Sequence, residues 1–399
     1  MPIDVRVANE NDREVLHELR EQAFSDQRSA FDIDLDRAKV PLDRQLVATD
    51  RGAVVGTLGV WELGQWFGGR QVPMGGVCAV AVEPAHRGRG VASALIRVAL
   101  EAMRARGEAL STLFPMNNTL YRSHGWEVAA AYPQHEVAAC ALRDLPRPDR
   151  KVELRKVTDD DLPVLRELHQ RVAAGRAGNI WLNERFAARR MLSASRESDA
   201  YVAEIDGEPT GSVTIVHEPS WDRDERYSLL VRHVMAADRD TELALWRLLG
   251  SHHPVARTVR FVAPPQHTLA HLFGEREIRP AASSGGYPMT RLVDTSAAIG
   301  GRGFPDSAEA EVHLAISDRS APWNAGNQVL RVSDGKGVLE PGGTGSVEVG
   351  VGHLAAMYTG WVDPRRLADW GLLAGAAAAD VEALVAVFGG PMPWLDEFF

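Results

Sequence analysis

A strand followed, after a short loop, by a helix is the clearest pattern in the first third of the chain. Val80 and Val82 alternate with small residues as in a buried strand, and Pro84 ends that strand. Apolar residues then recur at helical spacing, at Val91, Leu95 and Val98. The sequence therefore predicts a strand that ends before Pro84, then a short loop, and then a helix that covers residues 90–105.

Two stretches of the chain repeat the same pattern of polar and apolar residues. Residues 6–19 and 155–168, at an offset of 149 (155 minus 6), both indicate an edge strand, a polar cap and an amphipathic helix. Residues 47–57 and 202–212, at an offset of 155 (202 minus 47), both indicate a β-hairpin that turns at glycine. Two copies of one domain in tandem explain the repeat.

The pattern changes after residue 294. Gly300 to Gly303 indicate a linker, and alternating apolar residues beyond it predict three strands and two helices. The strands lie at residues 312–316, 329–332 and 347–351, and the helices around residues 353–357 and 376–387. We therefore expect an α/β (α+β) chain of three units, at residues 1–145, 146–295 and 296–399.

Composition adds limits to this picture. At 399 residues the chain is too long for one domain with a single hydrophobic core. Its content of 45% hydrophobic and 25% charged residues is typical of a soluble globular protein. Its two cysteines, Cys78 and Cys140, are too few for a disulfide framework, and we find no signal peptide and no apolar run of membrane-spanning length. We expect a cytoplasmic protein with no membrane partner.

Net charge and histidine spacing argue against two further classes of function. The formal charge of -10 disfavours nucleic acid and mildly favours a cationic small substrate, although acidity is also a common route to solubility. His252, His253 and the other histidines lack ligand spacing, so no metal site is predicted. The chain also lacks the Gly-x-Ser-x-Gly of many hydrolases.

The loop between strand and helix carries the candidate chemistry. Gly88 and Gly90 allow the backbone to turn, and the first N–H groups of the following helix have no intrahelical partner. Arg87 and Arg89 add positive charge, so the loop is suited to bind a diphosphate. The spacing fits neither a P-loop nor a dinucleotide fingerprint. The alternative is an ordinary turn with a solvated basic loop.

The second copy lacks this loop. Residues 79–80 pair with 233–234 at an offset of 154 (233 minus 79), but residues 94–97 pair with 244–247 at an offset of 150 (244 minus 94). Four residues (154 minus 150) are therefore missing, and the segment that remains carries Asp238 and Asp240 and no glycine. Because carboxylates repel a diphosphate, we expect the second copy to have lost the cofactor.

Two motifs resemble those of the GCN5-related N-acetyltransferases (GNAT enzymes). Arg87-x-x-Gly90-x-Ala92 resembles their (Gln/Arg)-x-x-Gly-x-(Gly/Ala) signature, which binds the pyrophosphate of coenzyme A. After a predicted strand at residues 110–114, four residues fit their Asn-x-x-x-Tyr-x-x-x-Gly-(Phe/Trp) helix, namely Asn117, Tyr121, Gly125 and Trp126. The resemblance implies a V-shaped cleft between diverging strands. The alternative for Tyr121 is a core aromatic residue.

The third unit resembles a sterol-carrier-protein-like domain, and the whole chain resembles the enhanced-intracellular-survival (Eis) type aminoglycoside N-acetyltransferases of actinobacteria. This resemblance implies tandem GNAT domains, the second degenerate, followed by a sterol-carrier-protein-2-like domain. It also implies acetyl-CoA as co-substrate, a small-molecule amine as acceptor and a homo-oligomer, a hexamer by family resemblance.

The same resemblance implies a role for each site residue. Tyr121 would be the general acid and the C-terminal carboxylate of Phe399 the general base, while Asp26 matches a position that lines the amine pocket. The alternative for Asp26 is a solvated loop carboxylate. The residues implied to bind acetyl-CoA are Val80, Ala81, Val82, Arg87, Gly88, Arg89, Gly90, Val91, Ala92, Ser93, Met116 and Asn117.

The last residues of the sequence are aromatic and acidic. Trp394, Phe398 and Phe399 favour a docked tail over a frayed terminus. The penultimate residue is Phe398, with Glu397 and Asp396 further in, so the acidic lining of the amine pocket is expected to differ from that of the family.

We therefore predict an acetyl-CoA-dependent N-acetyltransferase that acts on primary amines of small polycations. The alternative is a non-enzymatic protein that senses coenzyme A through its first unit or binds lipid through its third. The intact Asn117 and Tyr121 favour the enzyme, because a sensor would need neither.

Overall fold

The computed structural model describes residues 3–24, 40–192, 198–219, 226–264, 266–273, 278–281 and 286–399. Over these residues the chain forms a mixed α/β structure with three sheets, as the sequence predicts. Within the same ranges, no helix has the length and apolar character needed to cross a membrane.

The first part of the chain supplies most of one sheet and the helices that cover it. Its elements are β1 (Asp4–Val7), α1 (Arg13–Phe24), β2 (Gln45–Asp50), β3 (Ala53–Phe67), β4 (Arg70–Val82), α2 (Val91–Ala105), β5 (Leu110–Leu113), α3 (Asn118–Ser123) and β6 (Glu127–Val128). The predicted strand, loop and helix are β4, a short loop and α2. Helix α2 buries the apolar stripe that defined it, including Val91 and Leu95.

The elements of the middle of the chain are β7 (Gln134–Ala138), α4 (Ala139–Arg143), β8 (Glu153–Lys156), α5 (Leu162–Ala174), β9 (Ile180–Trp181), α6 (Glu184–Met191), β10 (Ser198–Ile205), β11 (Glu208–Pro219), β12 (Tyr227–Ala236), α7 (Arg239–Gly250), β13 (Thr258–Val262), β14 (Arg279–Pro280) and β15 (Met289–Leu292). From β8 to β13 the middle of the chain repeats the order of elements seen from β1 to β5, with one short strand and one helix, β9 and α6, inserted after the first helix. Both predicted hairpins are present, and both turn through a glycine with positive φ, Gly52 at 85° and Gly207 at 82°.

The two sheets exchange strands. The first sheet has eight strands in the order β1-β2-β3-β4-β5-β15-β6, with β9 on β3, and the second has seven in the order β14-β7-β13-β12-β11-β10-β8. Strand β7 thus leaves the first unit for the second sheet, and β15 returns from the second unit into the first. The domain boundaries at residues 145 and 295 remain a proposal. Strands from either side of residue 145 are hydrogen-bonded to each other, as in the pairs β7–β13 and β5–β15.

The last part of the chain forms a separate four-stranded sheet in the order β18-β17-β16-β19. Its elements are α8 (Thr295–Gly301), β16 (Ala310–Ser317), β17 (Gly326–Ser333), β18 (Lys336–Pro341), β19 (Val347–Gly350), α9 (Val351–Tyr358), α10 (Pro364–Asp369) and α11 (Ala378–Phe388). The prediction of a linker at residues 300–303 is wrong, because the first two of these residues, Gly300 and Gly301, belong to the end of helix α8. The helix forms because Asp294 caps it, accepting a hydrogen bond from Ala297 N at 3.0 Å.

Candidate active site

The loop before α2 presents an open helix N-terminus. Gly88 and Gly90 have φ angles of 74° and 82°, which L side chains rarely adopt. Gly90 is the N-cap of α2, and no side chain caps this end. The first-turn N–H groups are therefore available to an anion. Arg87 Nε donates to the Val82 carbonyl at 3.3 Å, and Arg89 pairs with Asp50 at 3.0 Å.

A cleft opens where β4 and β5 part. Their parallel ladder covers only residues 74–76 and 110–112, although β4 continues to Val82. On its other side β4 has a bulge, because Thr57 pairs with Ala81 and Gly59 with Cys78. Ala79 in this bulge has a φ of 50°. The backbone of residues 77–82 facing β5 is thus left without a strand partner, as the splayed cleft predicts.

Helix α3 places Tyr121 beside this cleft. Asn117 caps the helix, accepting a hydrogen bond from Leu120 N at 3.2 Å. Tyr121 is 7% exposed and stands edge-on to Trp126, with ring centroids 6.1 Å apart. Burial, together with the nearby Cys78 thiol, raises the pKa of Tyr121 to about 12. The hydroxyl is therefore protonated at neutral pH and able to donate.

Side chains from all three parts of the chain meet at the end of α3. His124 Nε2 lies 3.0 Å from Ser93 Oγ, and Nδ1 lies 2.8 Å from Ser320 Oγ. Arg291, on the exchanged strand β15, donates to the His124 carbonyl and pairs with Asp318 at 2.6 Å. Burial, with Arg97 and Arg291 nearby, lowers the pKa of His124, so the imidazole is neutral. Sequence analysis missed this junction because its partners are remote in the chain.

The C-terminal residues dock where β4 and β5 part. Phe399 is 8% exposed, and a Cβ on Gly76, the last residue of β4 that pairs with β5, would come within 2.9 Å of its ring. The centroid of the Phe114 ring lies 5.7 Å from that of Phe399 and 4.5 Å from that of Phe398. The tail thus reaches the same cleft as Tyr121.

The acidic residues of the tail point into the protein. Asp396 Oδ1 accepts a hydrogen bond from Ile180 N at 2.9 Å, and Glu397 forms an ion pair with Arg190. Both carboxylates contact residues of the middle part of the chain. Both carboxylates are therefore engaged with the protein itself.

Two arginines that sequence analysis did not single out approach the cleft. Burial raises the pKa of the Cys78 thiol to about 11, while the positive charges of Arg20 and Arg189 act in the opposite sense. Arg20 is held by Gln45, whose Oε1 accepts from its guanidinium at 2.7 Å. Of the predicted contacts, Met116 is 83% exposed beside the cleft. Asp26 lies outside the described residues.

The second copy closes its own helix N-terminus. Asp238 caps α7, accepting a hydrogen bond from Thr241 N at 3.0 Å. Arg150 pairs with both Asp238 and Asp240 at 2.9 Å. A carboxylate of the chain thus occupies the place where the first copy leaves an open anion site. In the described ranges, no group of three or more His, Cys, Asp or Glu side chains is arranged to hold a metal ion.

Comparison with known proteins agrees with this geometry. Acetyltransferase (GNAT) domain models match residues 4–129 and 173–292, and a sterol carrier protein domain model matches residues 295–396. A relative from Streptomyces coelicolor, described as an uncharacterized N-acetyltransferase, is 29% identical over 388 residues, with 93% of each chain covered.

Solved structures share the architecture over the whole chain. A GCN5-related N-acetyltransferase from Anabaena variabilis superposes with a TM-score of 0.91 at 25% identity, covering 100% of both chains. Eis1 from Mycobacterium abscessus superposes with a TM-score of 0.78 at 22% identity, covering 99% of this chain and 100% of its own, which shows a shared fold. The non-enzymatic alternative is therefore set aside. The chain belongs to the GNAT superfamily and is an N-acetyltransferase with two GNAT domains followed by a sterol carrier protein domain.

Proposed function

We propose that the first GNAT domain transfers the acetyl group of acetyl-CoA to a primary amine of a small, polycationic, aminoglycoside-like acceptor. One observation carries this proposal: the open N-terminus of α2, the free edge of β4, Tyr121 and the docked tail all border one cleft. GNAT acetyltransferases use acetyl-CoA, so the cleft has a defined occupant.

Acetyl-CoA fits this site. The uncapped first turn of α2, with Ser93 in it, and the basic loop before it suit the pyrophosphate. The unpaired backbone of residues 80–82 suits the amide groups of the pantetheine arm, by analogy with strand addition. Met116, which is exposed, and Asn117, which caps α3, would lie beside the thiol end. When bound, acetyl-CoA supplies the activated thioester.

Two groups in the cleft, the Tyr121 hydroxyl and the Phe399 carboxylate, then carry out the two proton transfers of the reaction. A C–N bond forms to the acceptor amine as the C–S bond breaks. The Tyr121 hydroxyl gives its proton to the departing thiolate, and N–H groups of β4 stabilise the negative charge on the acetyl oxygen. The C-terminal carboxylate of Phe399 receives the proton that the amine loses. Because a carboxylate is a weak base for an ammonium group, we propose that a water molecule relays this proton.

The charges near the cleft favour a second candidate acceptor. Arg20 and Arg189 lie close enough to influence Cys78, while Glu397 is paired with Arg190. An amine that also carries a carboxylate would complement Arg20, whose Nε has no hydrogen-bond partner among the described residues.

A thiol-release assay with acetyl-CoA and a panel of amines tests these proposals. The panel contains aminoglycosides, polyamines and amino acids. Higher kcat/KM for the polycations supports the first acceptor class, and higher kcat/KM for carboxylate-bearing amines replaces it with the second. Failure to acetylate any amine, with acetyl-CoA bound, would contradict the proposed function.

We also propose that the enzyme is cytoplasmic and forms a homohexamer. Both cysteines, Cys78 and Cys140, are free, which suits a reducing compartment. The hexamer follows from the resemblance to Eis-type enzymes, and light scattering coupled to gel filtration tests it.

A further inference from the structure

The second GNAT domain holds the segment that leads to Phe399. Trp394 N donates to the Ala177 carbonyl at 3.1 Å, and Asn179 Nδ2 donates to the Trp394 carbonyl at 3.0 Å. Ile180 N donates to Asp396 Oδ1 at 2.9 Å. Gly178, with a φ of 85°, allows this approach, because a Cβ there would come within 3.1 Å of the Trp394 carbonyl oxygen. The tail therefore follows the backbone of residues 177–180.

A buried ion pair fixes the next residue of the tail. Glu397 and Arg190 pair directly, with side chains only 1% and 2% exposed. Arg190 also donates to the Arg232 carbonyl, and His233 Nδ1 lies 3.6 Å from Glu397 Oε1. Burial raises the pKa of the Glu397 carboxyl, whereas Arg190 and His169 act in the opposite sense. A buried charge with one partner removed is strongly unfavourable, so the pair keeps Glu397 in one place.

This anchor uses the part of the second domain that corresponds to the cofactor edge of the first. At the offset of 154, Arg232 and His233 correspond to Cys78 and Ala79. The bulge is retained, because β11 and β12 shift register between Thr214 and Ile215. In the first domain this bulge borders the open cleft, whereas in the second it contacts Arg190 and Glu397.

We propose that the second GNAT domain acts as a receptor for the C-terminal tail, and that Arg190 and Glu397 are positioning residues for the Phe399 carboxylate. This inference rests on the proposed role of that carboxylate in proton transfer. Only Phe398 lies between Glu397 and Phe399, so the two Cα atoms are at most about 7 Å apart even in an extended chain. The anchor therefore restricts where the carboxylate can lie.

Three variants test the inference. Arg190→Met and Glu397→Gln each remove the ion pair, and Arg155→Met removes an ion pair with Asp161 in the same domain, far along the chain from the tail. We expect kcat to fall by about 10²-fold in the first two variants, since misplacement of a reacting group by about 1 Å has effects of that size. The KM for acetyl-CoA should stay within about twofold, and Arg155→Met should keep its kcat.

Two further readouts separate positioning from general stability. Deleting Phe398 and Phe399 from Arg190→Met should lower kcat no further, because the carboxylate is already misplaced. Carboxypeptidase should trim the tail of folded Arg190→Met faster than that of Arg155→Met, as followed by mass spectrometry.

Opposite results would overturn the inference. Wild-type kcat and tail protection in Arg190→Met would show that the ion pair does not position the tail, as would the full loss of kcat on deleting Phe398 and Phe399 from that variant. The proposed role of the Phe399 carboxylate fails separately, if deleting Phe398 and Phe399 leaves the wild-type enzyme fully active, and the proposed function itself fails only if the wild-type enzyme acetylates no amine.

Discussion

The two GNAT domains differ most at the N-termini of their corresponding helices, α2 and α7. In the first domain Gly90 caps α2 without a side chain, and the N–H groups face the cleft. In the second domain Asp238 caps α7 and Arg150 neutralises the carboxylate. The free N–H groups of a helix N-terminus can donate either to a bound anion or to a capping carboxylate of the same chain, but not to both at once. The second domain, whose loop is four residues shorter, thus has a side-chain cap where the first domain has an open helix N-terminus.

The retained fold of the second domain has a structural use. His233 beside its bulge contacts Glu397 of the tail that enters the cleft of the first domain. Residues 177–180 contact Trp394 and Asp396 of the same tail. One domain thus leaves its helix N-terminus open at the cleft, while the other holds a segment of the same chain in place.

The largest effect is expected at the chain terminus. Appending a few residues after Phe399 should lower kcat as severely as deleting Phe398 and Phe399, by about 10²-fold or more, because both displace the carboxylate. Phe399→Leu keeps the carboxylate and should cost much less. Mass spectrometry must confirm that the chain ends as intended. Full amine acetylation by an uncleaved, extended protein would return the role of the base to Asp26 or to water.

A tyrosine in each domain gives the next contrast. Tyr121→Phe should lower kcat by about 10²-fold or more with nearly intact acetyl-CoA binding, because it removes only the proton donor. The matched control is Tyr227→Phe in the second domain, where the hydroxyl contacts His252 at 3.1 Å, and its kcat should not change. A Tyr121→Phe enzyme within about threefold of wild type would leave Tyr121 as a packing residue.

The pH dependence sharpens the same assignment. The raised pKa of Tyr121, about 12, means that the hydroxyl keeps its proton where an ordinary tyrosine, with a pKa of about 10, would lose it. We therefore expect kcat to show no loss up to about pH 10.5 from ionisation of this donor. A fall in kcat centred near pH 10, absent in Tyr121→Phe, would contradict the assignment.

Glycine substitutions compare a ligand loop with a plain turn. Gly90 and Gly207 share a φ of 82°, and a Cβ on either meets no atom within 4 Å. Gly90→Ala should weaken coenzyme A binding by about 5- to 30-fold, the equivalent of a left-handed strain of about 1–2 kcal/mol. Gly207→Ala carries the same strain in a hairpin and should leave the affinity unchanged. Equal affinities in both variants would argue against the loop as the pyrophosphate site.

The smallest effect concerns a feature that both domains keep. Asp12 pairs with Arg6 and Asp161 with Arg155, each at 2.7 Å, at the offset of 149. Asp12→Asn and Asp161→Asn should each lower the free energy of unfolding at pH 7 by about 1 kcal/mol, the usual size for a cap or partly exposed pair. Urea unfolding measures both losses, and clearly unequal losses would show that the two copies do not use the cap alike.

Acid should remove this contribution. The arginine in each pair lowers the pKa of its aspartate, so the stabilisation is present above the ordinary carboxyl pKa and is lost as pH falls towards the folded value. The difference between wild type and each variant should therefore shrink below about pH 4. A difference that stays constant to pH 2 would contradict the electrostatic origin.

Local signals in the sequence predicted the loop before α2, the hairpins and the Tyr121 helix, because glycine, proline and apolar spacing act over a few residues. Pairings between distant residues were not predictable in this way. The exchange of β7 and β15 depends on which edges meet in space, and so do the contacts of Arg291 with His124 and of Arg190 with Glu397. Gly125 is a local sequence feature related to the contact of Arg291 with His124, since a Cβ at position 125 would collide with the Arg291 side chain.

The difference between the two domains is tested most directly by calorimetric titration of coenzyme A into the intact chain. We expect one site per chain, weakened by Gly90→Ala and unaffected by Asp238→Asn. Two sites per chain, or a single site that Asp238→Asn abolishes while Gly90→Ala leaves it intact, would contradict the assignment of cofactor binding to the first domain alone.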